Sequence, residues 1–271
     1  MARVGNFTSS EIVALLGFGE KGRSGDAAIA YIQECNMERR LGRSLTDESN
    51  ARPLMWGKIG EIVVFEYLPL DYTLTSEQTI VHPDYPFWAG SKDGHKPNTV
   101  FDIKSPYTHK SFCQLVQPLY DGLEGTDAMN AIRNGYTDDK GLFHAKHRDG
   151  DKFYTQLVSN ACIDNVGYAE LIVFMPYKSQ LDAFRKIAME VPSEELYKYY
   201  FIAMGQDDEL PFLLDNGYYK NINTIRFKVP DEDKELLTEK VRAAGELLID
   251  FPPSIITATY DPSVNATIIQ P

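Results

Sequence analysis

The run "YAELIVFMPY" at 168–177 constrains the fold more than any other stretch. Its apolar residues are continuous rather than alternating, so it reads as a strand buried on both faces. A strand of that kind needs a sheet covered by helices on either side. The flanking segments suit this: 151–164 and 178–204 both read as helices. Upstream, 6–17, 24–42 and 51–68 read as helices. Thr8 and Glu11 have capping-box spacing, Ser24 suits an N-cap, Gly42 a stop and Pro53 a first turn. Strand-like runs follow at 72–81, 86–90 and 98–104, then a helical stretch at 111–135 and a polar loop at 135–150. A last strand at 222–230 precedes a last helix at 231–249. The order predicts a mixed α/β (α+β) fold, a central mixed sheet flanked by helices.

The chain has 271 residues, enough for one large domain or two small ones; no repeat or linker interrupts it. No apolar run approaches the ~20 residues of a membrane span. The first residues, "MARVGNFTSSEIVALLG", lack the apolar core of a signal peptide. Cys35, Cys113 and Cys162 are scattered and odd in number, which predicts reduced, buried thiols and a cytoplasmic protein. They also cannot supply the four ligands of an iron–sulfur cluster. A net charge of −12 argues against a passive nucleic-acid coat. It leaves room for an enzyme on nucleic acid, because carboxylates gathered around cations can supply positive charge locally.

The segment "FWAGSKDGHKPNTVFDIKSP" (87–106) carries the chemistry. Asp93 and Gly94 read as a turn. Asp102 and Lys104 are two apart on a strand, so both leave one face, while Phe101 and Ile103 leave the other toward the core. Taken alone, that face is simply wet. In the helix before it, Gly57 and Glu61 share a face, and a glycine one turn from a glutamate leaves room beside the carboxylate. Taken alone, Glu61 is a solvated helix residue. Together, Asp93, Asp102, Glu61 and the Ile103 carbonyl are oxygen ligands from separate elements, as a hard divalent cation requires. Such a cation polarises a phosphate oxygen and lowers the pKa of a bound water. Lys104 beside it would orient or deprotonate that water, or offset charge on phosphorus.

Other residues have two readings each. Ser9 and Ser10 are a plain N-cap or a site for a terminal phosphate. Arg39, Arg40 and Arg43 are a solvated helix end or a phosphate contact. Lys152, Tyr154, Gln156 and Asn160 lie on one helix, either as an exposed polar stripe or as part of a site. His144 and His147 in "HAKH" would need a helix and a third ligand to hold a metal, and the segment is loop-like. Trp56 and Trp88 read as core, and His82 has no evident role.

These motifs resemble the PD-(D/E)xK nuclease superfamily, and within it the phage lambda-type exonucleases (YqaJ-like viral recombinases). The resemblance is collinear over 8–176. "TSSEIVALLG" is similar to the family's serine-containing helix start, "MWGKIGEIVVFEYL" to its Gly-x-x-x-Glu helix and "AGSKDG" to its Ser-Pro-Asp-Gly turn. "DIKSP" is similar to its Glu-x-Lys-x-Pro strand, and "KFYTQLVSNACIDNVGYAELIVFMPY" to its Tyr-x-Gln helix and following strand. There are departures. Lys92 stands where proline is usual, Asp102 where glutamate is, and the second glutamine is missing. Residues 107–150 are longer than expected, and 178–271 match nothing specific.

The resemblance implies a restriction-endonuclease-like core with the metal site at one sheet edge, in a single nuclease domain over 1–271 with an extension from 178. It implies a Mg²⁺-dependent deoxyribonuclease, with Mn²⁺ as a substitute, most simply an exonuclease resecting linear duplex DNA in phage or prophage recombination. Asp93, Asp102, Glu61 and the Ile103 carbonyl would hold metal, with Lys104 and Gln156 completing the catalytic set. Ser9, Ser10, Arg39, Lys92, Tyr154 and Asn160 would contact DNA. The implied partners are duplex DNA ends, a single-strand annealing protein and further copies in a ring trimer. An endonuclease or repair nuclease of the same fold, or a nuclease-like binding module without activity, are the alternatives.

Overall fold

In the computed structural model, which describes residues 3–45, 50–75 and 78–249, the chain builds three short or medium sheets and eight α-helices among the described residues. In order they are β1 (Phe7–Thr8), α1 (Arg23–Leu41), α2 (Arg52–Phe65), β2 (Thr73–Leu74), β3 (Ile80–Val81) and β4 (Trp88–Gly90). Next come β5 (Gly94–Lys96), β6 (Thr99–Lys104), α3 (His109–Tyr120), α4 (Gly125–Asn134), β7 (Tyr136–Thr137) and β8 (Phe143–His144). The chain continues through α5 (Gly150–Ile163), β9 (Tyr168–Phe174), α6 (Leu181–Glu190), α7 (Leu196–Ala203), β10 (Ile222–Lys228) and α8 (Asp231–Gly245).

The main sheet has the order β10-β9-β6-β5-β2. β6 and β9 run parallel, with Asp102 beside Leu171, and the other pairs are antiparallel. The apolar run at 168–177 therefore becomes β9, next to the middle strand. Its side chains divide cleanly. Ala169, Leu171 and Val173 join a core with α3, α4, α5 and α8, while Ile172 and Phe174 join a second core with α2, α6 and α7. β6 divides likewise: Val100 faces the first core, Phe101 and Ile103 the second. Both faces are covered, so continuous apolar sequence is what such strands must carry. β10, from beyond residue 178, pairs with β9 along its full length and is part of the same sheet.

Several local expectations change. Residues 6–17 are not one helix. Phe7–Thr8 pair with β4, and only a 3₁₀ turn, Ile12–Gly17, follows, without a side-chain cap. Pairing with Trp88 and Ala89 outcompetes the capping box. α1 starts after Gly22 rather than at a Ser24 cap, and ends at left-handed Gly42 as expected. The run 72–81 splits into β2 and β3, which join different sheets; residues 76 and 77 lie outside the described residues. The hairpin turn is not at Asp93–Gly94 but at Pro97–Asn98, where Asn98 is left-handed (φ 53°). Gly94 begins β5, and a Cβ there would sit 2.3 Å from the Thr73 carbonyl oxygen. Residues 111–135 form two helices, α3 and α4, and 178–204 form α6 and α7 after a 3₁₀ turn. The 135–150 loop contains a small hairpin, β7–β8. The last part of the expected 178–271 extension, 250–271, lies outside the described residues. Cys35 is buried, whereas Cys113 and Cys162 are half-buried free thiols.

Candidate active site

The expected wet face of β6 is covered. Asp102 is 1% exposed, because α5 packs over it. Gln156 of α5 donates from Nε2 to Asp102 Oδ1 at 2.8 Å. Asp102 Oδ2 is ion-paired with the Lys104 ammonium. Asp93 comes in just before β5, and its Oδ2 accepts the Ile103 N–H at 2.6 Å. Glu61, on the α2 turn after Gly57, is close enough to act electrostatically on both Asp93 and Lys104. The site lies at the C-terminal end of the middle strand, not at a sheet edge, since β5 and β2 flank β6 on its far side.

The electrostatics are lopsided. Burial, then the Asp102 and Glu61 carboxylates, hold the Asp93 pKa well above the usual range, although Lys104 and the Ile103 N–H pull it down. Burial alone would lower the Lys104 pKa, but Asp102, Asp93 and Glu61 outweigh it and the net shift is upward. With no cation beside it, the lysine is favoured in its charged form, which suits orienting and charge-offsetting roles. Three carboxylates and one ammonium in a closed space leave excess negative charge. An Asp93 that resists ionisation beside the Asp102 and Glu61 carboxylates is what a buried cation would relieve. The donor set is all oxygen, from three elements, and fits a hard divalent ion.

The two glycines of α2 divide the labour. A Cβ at Gly57 would meet nothing within 4 Å, so the helix is open to the cleft there. A Cβ at Gly60 would lie 2.2 Å from Ser105 Oγ, so this glycine lets α2 approach the end of β6. Trp56 is fully buried and stacks on Phe184 at 4.3 Å.

The remaining expected contacts separate from this centre. Lys92 forms an ion pair with Asp164 and its side chain is 8% exposed. It points into the protein toward the end of α5, where Asp164 engages its ammonium, instead of standing free for a phosphate. Tyr154 is buried, donates to Asp233, stacks on Phe227, and carries Arg133 over its ring at 3.8 Å. It is a packing residue, because the neighbouring turn of α5 faces α8. Ser9 is buried, with Oγ 2.7 Å from Ser159 Oγ, which also accepts from Trp88 Nε1 at 2.8 Å. Asn160 is buried beside Gly90, and among the described residues its Nδ2 meets no hydrogen-bond partner. Ser9 and Asn160 thus sit inside the core where β1 meets β4 and α5. Ser10 is half-buried, with Oγ 3.3 Å from Thr8 Oγ1. Arg39 donates to the Gly5 carbonyl at 2.7 Å and to Asn6 Oδ1 at 3.2 Å, pinning the N-terminal segment instead of facing the cleft. Lys152 pairs with Glu11 at 2.8 Å. His82 stacks on buried Trp88 at 4.7 Å, and its Nδ1 accepts the Asp84 N–H.

The "HAKH" histidines have different partners. His144 Nε2 lies 3.1 Å from Asp138 Oδ2, and Asp121, Asp138 and His144 bring ligand atoms within 4.8 Å of one another. Their acceptors are already engaged by Tyr136, Gln117 and the backbone of Lys140 and Leu142. His147 is buried against Ser111 and Phe153. Phe153 in turn stands 5.2 Å from the Lys104 ammonium. Neither Ser111 nor Phe153 stood out in the sequence, because their only signal is contact across segments distant in the chain.

No family model and no curated protein matches this chain. Solved structures do. The crystal structure of LHK-Exo in complex with dAMP superposes with a TM-score of 0.50 at 14% identity, covering 91% of this chain and 89% of that one. A crystal structure of the alkaline exonuclease LHK-Exo from Laribacter hongkongensis gives 0.49 at 14% identity, covering 91% and 89%. A phage-related exonuclease from Haemophilus somnus 129PT gives 0.50 at 10% identity, covering 90% of this chain and 93% of that one. The chain shares its fold with these two exonucleases, LHK-Exo and the Haemophilus somnus protein, a mixed sheet between two helical layers.

Proposed function

We propose that the protein is a divalent-metal-dependent DNA exonuclease that hydrolyses phosphodiesters at the ends of linear duplex DNA. The observation that carries this is the crowding of Asp93, Asp102 and Glu61 around Lys104 at the end of β6. The shared fold with LHK-Exo and the Haemophilus somnus exonuclease supports it further. Asp93, Asp102, Glu61 and the Ile103 carbonyl would hold Mg²⁺, with Mn²⁺ as a substitute. Bound there, the cation supplies positive charge to phosphate oxygens and eases loss of a proton from water.

The chain's own residues do the rest. Gln156 fixes the Asp102 carboxylate so that its second oxygen faces the site. The Ile103 N–H fixes Asp93 in the same way. Lys104, held as an ammonium, orients the attacking water and offsets charge that develops on the phosphoryl oxygens. Open Gly57 leaves space for the strand beside Glu61. On this reading the enzyme acts in phage or prophage recombination in the bacterial cytoplasm, beside a single-strand annealing protein, as a ring trimer. These last features rest on the motif resemblance alone.

The test is digestion of linear and covalently closed duplex DNA with Mg²⁺ and with EDTA. Loss of the linear form alone, with Mg²⁺ only, supports an exonuclease, whereas cutting of the closed circle makes it an endonuclease. Asp102→Ala and Lys104→Ala should each lose at least ~100-fold in rate. Variants as fast as the parent would remove the site assignment.

A further inference from the structure

The cleft beside Lys104 does not end at the carboxylates. It extends for about 570 Å³ between α2, the first turn of α3 and the start of α5. Ser111 of α3 lines its far part, together with Lys110 and Arg148. Behind Ser111 stands His147, 5% exposed. Its Nδ1 accepts the Asp149 N–H at 3.2 Å, and burial lowers its pKa. The imidazole is therefore neutral, with its proton on Nε2. Nε2 lies 2.8 Å from Ser111 Oγ, so the ring donates and the hydroxyl accepts.

That assignment leaves the Ser111 hydrogen unspent. Among the described residues, the structure gives Ser111 Oγ no other partner. A hydroxyl whose acceptor side is filled by a buried imidazole acts as an oriented donor. Lys110, Arg148 and Lys104 line the same cleft, with Arg148 ion-paired at 3.2 Å to Asp149, which lines it too. One fixed O–H donor with flanking cations matches an anionic oxygen acceptor.

We propose that Ser111, presented by His147 and flanked by Lys110 and Arg148, forms a phosphodiester subsite for the DNA strand that leads away from the carboxylate centre. The subsite rests on the nuclease reading above and adds the path of the strand. If the Ser111–His147 bond only ties α3 to the loop before α5, no phosphate will depend on it.

The experiment is fluorescence anisotropy of labelled linear duplexes with Ca²⁺ in place of Mg²⁺, so that binding is read without turnover. In a set of duplexes, one internucleotide linkage at a time is a neutral methylphosphonate. For the parent protein, one position weakens binding by ~10-fold, the value of a hydrogen bond to a charged group. Ser111→Ala weakens binding of the all-phosphate duplex by a similar factor and no longer responds to that position. Ser111→Thr keeps the hydroxyl and restores both effects, which separates a lost donor from a misfolded variant. His147→Phe keeps a ring against Phe153 but removes the donor behind Ser111, and blunts the response at the same position. The proposal is overturned if Ser111→Ala binds every duplex as the parent does, or if it weakens all of them while still sensing that linkage. Failure of the parent to bind any duplex would instead strike the nuclease reading, and the subsite with it.

Discussion

Gln156 donates its side-chain amide to Asp102 Oδ1 at 2.8 Å, joining the middle of α5 to the middle strand of the sheet in a region closed to water. The bond satisfies one oxygen of a carboxylate that is 1% exposed, and leaves the other turned toward Lys104. Gln156→Ala should therefore lose ~1–3 kcal/mol of stability, the cost of a buried acceptor without its donor. It should also lose nuclease rate, because the carboxylate is free to rotate. The urea midpoint reads the first effect and Mg²⁺-dependent digestion the second. An unchanged midpoint would mean that water replaces the amide at no cost.

Excess negative charge at Asp93, Asp102 and Glu61 predicts that divalent cations stabilise the fold. At a Mg²⁺ concentration 100 times its Kd, a single site adds about 2.7 kcal/mol. Thermal melts in Mg²⁺ should lie several degrees above those in EDTA. Asp102→Asn should melt at one temperature in both. A cation effect that survives Asp102→Asn would place the ion elsewhere.

Lys92 and Asp164 form a buried pair, with side chains 8% and 14% exposed. Removing one partner leaves a part-buried charge, so Asp164→Asn should cost ~1–3 kcal/mol. The double variant Lys92→Met, Asp164→Leu should recover most of that loss. Chemical denaturation of the parent, the single and the double variant closes the cycle. Because Lys92 faces inward, its neutral replacement in the double variant should leave the salt dependence of DNA binding unaltered.

His82 is buried against Trp88, and its pKa lies below the usual 6.5 because burial opposes the charged form, with Asp84 pulling weakly the other way. The unfolded chain takes up a proton near 6.5 that the folded chain refuses. The His82 contribution to stability is thus fully present above 6.5 and is lost as pH falls through the lower, folded value. His147 is shifted in the same direction by burial, so both histidines steepen the loss. Urea midpoints measured from pH 8 to pH 5 should fall, and His82→Gln should make that fall shallower. An identical slope in the variant would assign the acid sensitivity to other groups.

Much of the scaffold follows from neighbours along the chain. The continuous apolar residues of β9 require a strand covered on both faces, and the alternation of Phe101, Asp102, Ile103 and Lys104 sends the two polar side chains one way. Pro53 starts α2, and Gly42, in the left-handed region, ends α1. Strand alternation puts Asp102 and Lys104 on one face, whereas Glu61 of α2 and Asp93 of the loop before β5 were joined to them in the sequence only by the order of the motifs and their resemblance to a family. What only the tertiary structure decided are partnerships between distant segments. Lys92 turns inward because Asp164 awaits it at the end of α5. Ser9 belongs to the core because Ser159 and Trp88 close over it. Phe7–Thr8 become a strand because β4 offers an edge. Ser111 and His147 meet only when α3 and the loop before α5 come together. Periodicity and caps are set by residues within one or two turns of each other, so sequence carries them. Whether a polar side chain meets solvent, a buried partner or the cleft depends on which helix finally covers it, and that is settled only when the layers close.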